Sequence, residues 1–142
     1  MKKSVIVTGI TLALILAIAA ACGPKTGGSP TGKVIKTAPV GNLTATLSND
    51  TGQLRQGDQE VTLSFTDASG KPVDVGAVSL NFHMPQMGGM AAMNDAVTFT
   101  TTSTPGGYSG KVNLGSGGEW QAQLAFEGPA GNGKTTFSVT AQ

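Results

Sequence analysis

Residues Val61–Pro72 read VTLSFTDASGKP, and this stretch decides the fold. In its first half apolar residues alternate with polar ones, so that Val61, Leu63 and Phe65 share one face of a strand. Its second half gathers Asp, Ser, Gly and Pro, which are the residues typical of tight turns. The stretch therefore predicts a β-strand with one buried face, followed by a turn.

The same alternation recurs in six further runs of the chain, separated by Gly, Pro, Asn and Asp. The runs are Leu43–Ser48, Val78–His83, Val97–Thr100, Tyr108–Leu114, Glu119–Phe126 and Lys134–Ala141. No segment after Pro24 keeps the 3.6-residue period of a helix. Seven short alternating runs joined by turns predict an all-β domain over residues 41–142, an immunoglobulin-like seven-stranded antiparallel β-sandwich.

The first 21 residues have the pattern of an export signal. Lys2 and Lys3 precede the apolar run Val5–Ala20, and small residues lead directly to Cys22. This order resembles a bacterial lipobox, so we expect a lipoprotein signal peptide over 1–21 and a lipid anchor on Cys22. Two other interpretations stay open: Cys22 as an ordinary residue after a cleavage site, and the apolar run as an uncleaved anchor, because a span needs about 20 residues. All three place the domain outside the cytoplasm, on the periplasmic or cell-surface side of a bacterial membrane.

Residues 22–40 join this signal to the predicted domain. They are rich in Gly, Pro, Lys and Thr and contain few large apolar side chains. Such a segment buries too little surface to offset the entropy lost on ordering. We therefore expect a flexible linker over 22–40.

Charge and reactive residues exclude several classes of function. Residues 41–142 carry four basic and eight acidic side chains, a net charge of −4, so nucleic-acid binding is not expected. The chain has one His, and no Cys follows Cys22. Neither a nucleophile–base pair nor paired catalytic carboxylates can be assembled around that His, and we do not expect an enzyme.

One segment, Phe82–Met93, departs from the strand pattern and reads FHMPQMGGMAAM. Four of the five methionines lie here at a spacing of three, beside the only His of the chain. Thioether sulfur and imidazole suit Cu(I), whereas Mg²⁺ and Ca²⁺ require oxygen ligands. The predicted ligands of a Cu(I) site are His83, Met84, Met87, Met90 and Met93.

Two other interpretations compete at the same segment. A spacing of three is also typical of the apolar stripe of a helix, although Pro85, Gly88 and Gly89 would interrupt that helix. A Met-rich loop can also dock on an apolar surface of another protein. Strand alternation places Met84 on the core face and His83 on the opposite face, so the two need not share a site.

A family resemblance rests on three blocks of this sequence. Met84–Met90, MPQMGGM, resembles the Met-Pro-x-Met-x-x-Met signature of the YtkA-like domain family, and Gly107–Leu114 and Gly118–Trp120 resemble its Gly-x-Tyr and Gly-x-Trp blocks. The resemblance covers about residues 41–142. It implies an immunoglobulin-like sandwich outside the cytoplasm, associated with copper handling or heavy-metal efflux. It also implies that Met84, Met87 and Met90 are the family's three methionines.

The sequence departs from the family pattern before Trp120. Many members carry a further Met there, whereas this chain has Gly115–Gly118, GSGG. If that Met completes the site in relatives, then His83 or Met93 substitutes for it here, or the affinity is lower. Trp120 is a candidate aromatic neighbour of the metal through a cation–π contact, while the face it shares with Leu124 favours a core role.

These features together lead to one expected function and one alternative. The expected function is an exported, membrane-anchored copper-binding accessory protein that buffers Cu(I) or delivers it to a transporter or cuproenzyme. Its expected partners are the membrane, through the lipid anchor, and metal-efflux or cuproenzyme assembly proteins. The alternative is a metal-free interaction module that docks its Met-rich loop onto a membrane protein complex.

Overall fold

The computed structural model describes residues 32–142, which form an all-β domain of eight antiparallel strands. The strands are β1 (Lys33–Val40), β2 (Leu43–Asn49), β3 (Gly57–Thr66), β4 (Ala77–Met84), β5 (Met93–Thr101), β6 (Gly107–Leu114), β7 (Gly118–Gly128) and β8 (Gly131–Ala141). The predicted signal peptide over 1–21, the predicted lipid anchor at Cys22 and the first part of the predicted linker lie outside the described residues. Within 32–142, no helix has the length and apolar composition that a membrane crossing requires.

The strands follow the order β1-β2-β3-β6-β5-β4-β7-β8 and fold into two layers. Strand β5 makes the connection between them: Met93–Val97 pairs with β4, and Thr98–Thr101 pairs with β6. Because β5 passes from one layer to the other, the sheet wraps around a single core. The predicted antiparallel β-sandwich is confirmed, with eight strands in place of seven.

The additional strand corrects the predicted linker. Residues 33–40 of the segment expected to be flexible form β1, which pairs with β2 from Lys33↔Asn49 to Val40↔Leu43. The register shifts at Ile35, and this bulge breaks the period-two alternation that marks the other strands. Only Ala38 and Val40 of β1 are fully buried, as is usual for an edge strand. The signal that could have revealed β1 is Gly41–Asn42, a two-residue hairpin turn of a favoured type.

The core consists of the apolar faces that alternation predicts. Val61, Leu63 and Phe65 are all fully buried, and each contributes about 1.5–3 kcal/mol relative to an exposed position. The Phe65 ring packs edge-on against Phe126, with 5.5 Å between ring centroids, and against Tyr108 at 6.0 Å. These contacts join β3, β6 and β7 across the two layers and hold the sandwich together.

Antiparallel pairing gives the sandwich two chemically different ends. The methionine end is where β2, β4, β6 and β8 finish and where β1, β3, β5 and β7 begin, and it includes Met84, Leu114, Lys33, Met93 and Gly118. The tyrosine end is the opposite one, and its members are Ala77, Thr101, Tyr108, Gly128 and Gly131. All the predicted metal ligands are at or beyond the strand ends of the methionine end.

Candidate metal site

The loop between β4 and β5 contains a tight turn of its own. The Met87 N–H donates to the Met90 carbonyl at 3.3 Å, and the Met90 N–H donates to the Met87 carbonyl at 2.9 Å. Gly88 takes a φ of +55°, a conformation that glycine adopts without steric cost and that suits the first central position of a two-residue hairpin turn. The Gly-Gly pair in the motif therefore closes a miniature hairpin, which we call the hairpin tip (Met87–Met90).

The hairpin tip presents two thioethers side by side. Met87 and Met90 are bridge partners, so their side chains project from the same face with about 5 Å between Cβ atoms. Their side chains are 55% and 51% exposed, far more than is usual for an apolar residue of this size. Three rotatable bonds allow each sulfur to turn toward the other. The tip can thus offer two soft, neutral donors to one ion in solvent.

Met84 and Met93 form a second cross-strand pair at the base of the same hairpin. Met84 is only 4% exposed and belongs to the hydrophobic core, while Met93 is half-buried and packs against that core. The spacing of three thus resolves into two facing pairs, one buried or half-buried at the base and one exposed at the tip. Neither pair lies on a helix.

The Gly115–Gly118 turn lies directly against the base pair. A Cβ placed on Gly115 would be 3.4 Å from the Met93 sulfur, and one placed on Gly118 would be 3.4 Å from the Met84 methyl. The position where the resemblance implies a further Met is therefore next to the methionine cluster. The absence of side chains at these glycines leaves space beside the Met93 sulfur.

Trp120 holds the Gly115–Gly118 turn in place from the core side. Its side chain is fully buried, and its indole N–H donates to the Ser116 carbonyl at 3.0 Å. The ring belongs to the core and presents no surface to solvent. Trp120 therefore positions the turn beside the methionines through a hydrogen bond.

His83 points away from the core, onto the outer face of β4. Its Nδ1 lies 2.8 Å from Oδ1 of Asn94, its cross-strand neighbour on β5. An amide oxygen only accepts, so this contact requires the tautomer in which Nδ1 donates, and in that tautomer of the neutral ring Nε2 has a free lone pair. A hydrogen bond from the second ring nitrogen is a common way to orient a metal-binding His. Met84 faces inward from the next position, so the side chains of His83 and Met84 do not share a site.

Asn94 is the site residue that sequence reasoning missed. It contacts His83, and the Asn81 amide also approaches its Oδ1 at 3.4 Å. The signal was present in the symmetric spacing of the motif: if Met84 opposes Met93, then His83 opposes Asn94. That register becomes visible only when the segment is interpreted as a hairpin.

The electrostatic setting of the hairpin is neutral. Residues 85–92 contain no charged side chain. Among residues 32–142, no group of three or more His, Cys, Asp or Glu side chains is arranged to hold a metal ion. The candidate donors are therefore the uncharged thioethers and the one imidazole.

The tyrosine end holds a buried polar group of a different kind. The Tyr108 hydroxyl lies 3.0 Å from the Gly76 carbonyl and 3.2 Å from Oδ1 of Asp74, and donates its proton to them. Burial, together with the adjacent Asp74 carboxylate, raises the pKa of Tyr108 above its ordinary value. This contact ties β6 to the segment before β4, so its role is structural.

Comparisons with known proteins bear on the family. No curated protein matches this chain. Among solved structures, the chain is similar to the ZirS C-terminal domain at 12% sequence identity and a TM-score of 0.45, covering 100% of this chain and 86% of that one. The model of the YtkA-like family matches residues 37–125, which is more than half of the chain and includes the methionine hairpin and Trp120. The chain therefore belongs to the YtkA-like family.

Proposed function

We propose that this protein is a membrane-anchored accessory protein that binds Cu(I) outside the cytoplasm through the thioethers of Met87 and Met90. It would buffer the ion or deliver it to a membrane transporter or a cuproenzyme. The observation that carries the proposal is the exposed, facing pair of methionines on the hairpin tip. Two large apolar side chains held together in solvent have no packing role in the domain.

The chemistry of the donors favours Cu(I) over other ions. Thioether sulfur is soft and uncharged, and such ligands select Cu(I) where carboxylates select Mg²⁺ or Ca²⁺. A thioether also needs no deprotonation before it binds, so the tip keeps its affinity as the pH falls. Residues 32–142 contain no Cys, and hence no thiolate that would compete for the ion.

The remaining ligands come from the base and flank of the hairpin. Met93 is half-buried next to the glycines of the Gly115–Gly118 turn, and His83 offers Nε2 from the outer face. We assign Met84 to the core and not to the ion, because its side chain is buried. Two exposed thioethers leave part of the coordination sphere open to a ligand from a partner, which favours transfer over storage.

The location and the partners belong to the same proposal. The pattern over 1–21 supports export, and Cys22 supports a lipid anchor on the extracytoplasmic side of a bacterial membrane. Partners would be the membrane and proteins of metal efflux or cuproenzyme assembly. We propose no catalytic role.

An anaerobic Cu(I) titration against a chromogenic chelator tests the proposal. The full chain would be compared with Met87→Leu/Met90→Leu, which keeps the apolar volume and removes both sulfurs. We expect the variant to lose at least about tenfold in affinity, equivalent to about 1.4 kcal/mol. Met84→Leu is the matched control and should bind as the wild type does. Equal affinity of the wild type and the double variant would rule out the thioether site.

Single variants identify the completing ligand. Met93→Leu removes the half-buried sulfur, and His83→Gln removes the imidazole while keeping a polar side chain beside Asn94. The variant with the larger loss marks the third ligand. If neither variant loses Cu(I) affinity, the tip binds Cu(I) with its two thioethers alone.

A second candidate function is supported by the exposure of the same pair. The hairpin tip presents adaptable apolar side chains that suit docking on another protein. Met87→Leu/Met90→Leu separates the two functions, because leucine keeps the apolar surface but cannot bind Cu(I). A docking module would keep its partner in this variant, whereas a copper carrier would lose its cargo.

A further inference from the structure

We propose that the methionine end of the sandwich faces the membrane and that the hairpin tip rests in the lipid headgroup layer beside the chain's own anchor. The inference rests on the anchor in the proposed function and is independent of the metal. It identifies the end of the domain that contacts another surface, and it identifies that surface as the lipid bilayer.

The first support is where the chain enters the fold. β1 begins at Lys33, which pairs with Asn49 at the last position of β2. That end of β2 is also the methionine end, because β2 ends beside the start of β3 (Ser48↔Thr62) and the start of β3 pairs with the end of β6 (Gly57↔Leu114). The chain therefore enters the fold at the end that carries the hairpin tip. The opposite end is the length of an eight-residue strand away, about 26 Å.

The second support is the short reach of the tether. Gly32 is ten positions after Cys22, and a fully extended chain spans at most about 3.3–3.6 Å per residue, or about 35 Å here. A tether of this length holds the start of β1, at the methionine end, within about 35 Å of the bilayer surface. It also raises the effective concentration of the tip at that surface to the millimolar range, so a weak contact is sufficient.

The third support is the chemistry of the tip. Residues 85–92 are uncharged, and the exposed large apolar side chains among residues 32–142 are Met87, Met90 and Val34, all three at the methionine end. Apolar side chains on an otherwise uncharged turn can be buried at the headgroup boundary without removing a charge from water.

The charges around the tip select the kind of lipid. Six charged side chains lie within two residues of the strand ends there, and they are Lys33, Asp50, Arg55, Asp58, Asp95 and Glu119. Four of these side chains are acidic and two are basic, so together they have a net charge of −2. Anionic headgroups attract basic segments and repel acidic ones, so the tip should prefer neutral lipids.

The test uses the full lipidated chain on phosphatidylcholine vesicles, without copper. Intact mass first establishes the lipid on Cys22, and its absence would overturn the inference by removing its premise. With Cys22 occupied by the lipid, a new Cys carries a unique fluorescent label. Gly89→Cys labels the tip, where an added Cβ meets no atom within 4 Å, and Ser103→Cys labels an exposed position at the tyrosine end.

Quenching by nitroxide lipids reports contact with the bilayer. We expect the label at residue 89 to be quenched several-fold more strongly than the label at residue 103. Equal quenching at the two positions, or stronger quenching at residue 103, would overturn the proposed orientation.

Two further measurements test the contact itself. Met87→Ser/Met90→Ser in the Gly89→Cys chain should reduce the quenching, and phosphatidylglycerol vesicles should reduce it as well. Unchanged quenching in the serine variant would overturn the role of the methionines, and quenching that requires an added membrane protein would overturn the role of lipid. Since no copper is present, a failed Cu(I) titration would leave this result intact, and the reverse also holds.

Discussion

The two ends of this sandwich differ in which side chains they bury and which they expose. At the tyrosine end a polar hydroxyl is buried: Tyr108 is 4% exposed, and its hydrogen bonds to Gly76 and Asp74 satisfy it. At the methionine end two apolar side chains, Met87 and Met90, stand in solvent. Burying a satisfied polar group joins parts of the fold, whereas exposing apolar groups contributes nothing to folding. The tyrosine end therefore has a contact that stabilises the fold, whereas the tip of the methionine end has two apolar side chains that are about half exposed.

The same contrast divides the methionines themselves. Met84 and Met90 belong to one motif and lie six residues apart, yet one is core and the other is surface. The cause is the hairpin, since the β4–β5 register ends at Met84↔Met93 and the tip extends beyond the sandwich. Motif membership therefore does not by itself assign a role.

The largest expected effect separates the two classes of Met. Met84→Ala should lower the free energy of unfolding by about 2–5 kcal/mol, because it leaves a cavity in the core. Met87→Ala should change it by less than about 0.5 kcal/mol, because that side chain is exposed. Chemical denaturation of both variants checks the contrast, with Met84→Leu as the volume-conserving control. Similar losses for both alanine variants would contradict the assignment.

The next effect tests the tyrosine end. Tyr108→Phe should cost about 1–3 kcal/mol of unfolding free energy, because the Gly76 carbonyl and the Asp74 carboxylate lose a buried donor. The same variant should bind Cu(I) as the wild type does. Denaturation and the chelator titration measure the two quantities, and a loss of copper affinity in Tyr108→Phe would break the separation of the ends.

The pH dependence of stability follows from the raised pKa of Tyr108, whose causes are first burial and then the Asp74 carboxylate. A folded-state pKa above the unfolded value near 10 means that the folded protein holds this proton more tightly. The stabilising contribution is complete below about pH 10 and is lost as the pH rises through the folded pKa. In a series of unfolding midpoints measured from pH 8 upward, we expect the midpoint to decrease above about pH 10. Tyr108→Phe should show a shallower decline, and an identical decline in both proteins would contradict the account.

The smallest expected effect concerns the geometry of the tip. Gly88→Ala places a Cβ on a residue with φ of +55°, at a local cost of about 1–2 kcal/mol. We expect the turn to distort and the Cu(I) affinity to fall by up to about tenfold, since 1.4 kcal/mol corresponds to a factor of ten. Gly89→Ala is the matched control, since its added Cβ meets no atom within 4 Å. Equal affinity of the two variants would show that the preformed turn does not matter.

Much of the fold could be predicted from sequence because alternation is a strong signal wherever one face of a strand is buried. Val61–Thr66 and Glu119–Phe126 show it without interruption, and both are strands. Strand β1 was missed because a bulge at Ile35 and a mostly exposed edge erase that signal. Long-range pairing, such as β3 with β6, leaves no trace in local periodicity.

The candidate site could be predicted in composition but not in arrangement. The segment 82–93 contains the soft donors, and the inward and outward directions of Met84 and His83 followed from alternation. The pairing of Met87 with Met90 depends on the turn at Gly88, and the position of Gly115 near the Met93 sulfur depends on tertiary folding. Sequence alone therefore gave one list of five ligands where the structure has residues in three different settings.

Methionine-methyl NMR of the chain during anaerobic addition of Cu(I) tests the central claim most directly, because one spectrum reports each thioether separately. The account predicts that the Met87 and Met90 methyl signals shift together and saturate with one ion per chain, while the Met84 signal stays in place. A shift of Met84 without the tip pair, or no shift of Met87 and Met90 at all, would contradict the assignment of the methionine end as a copper site.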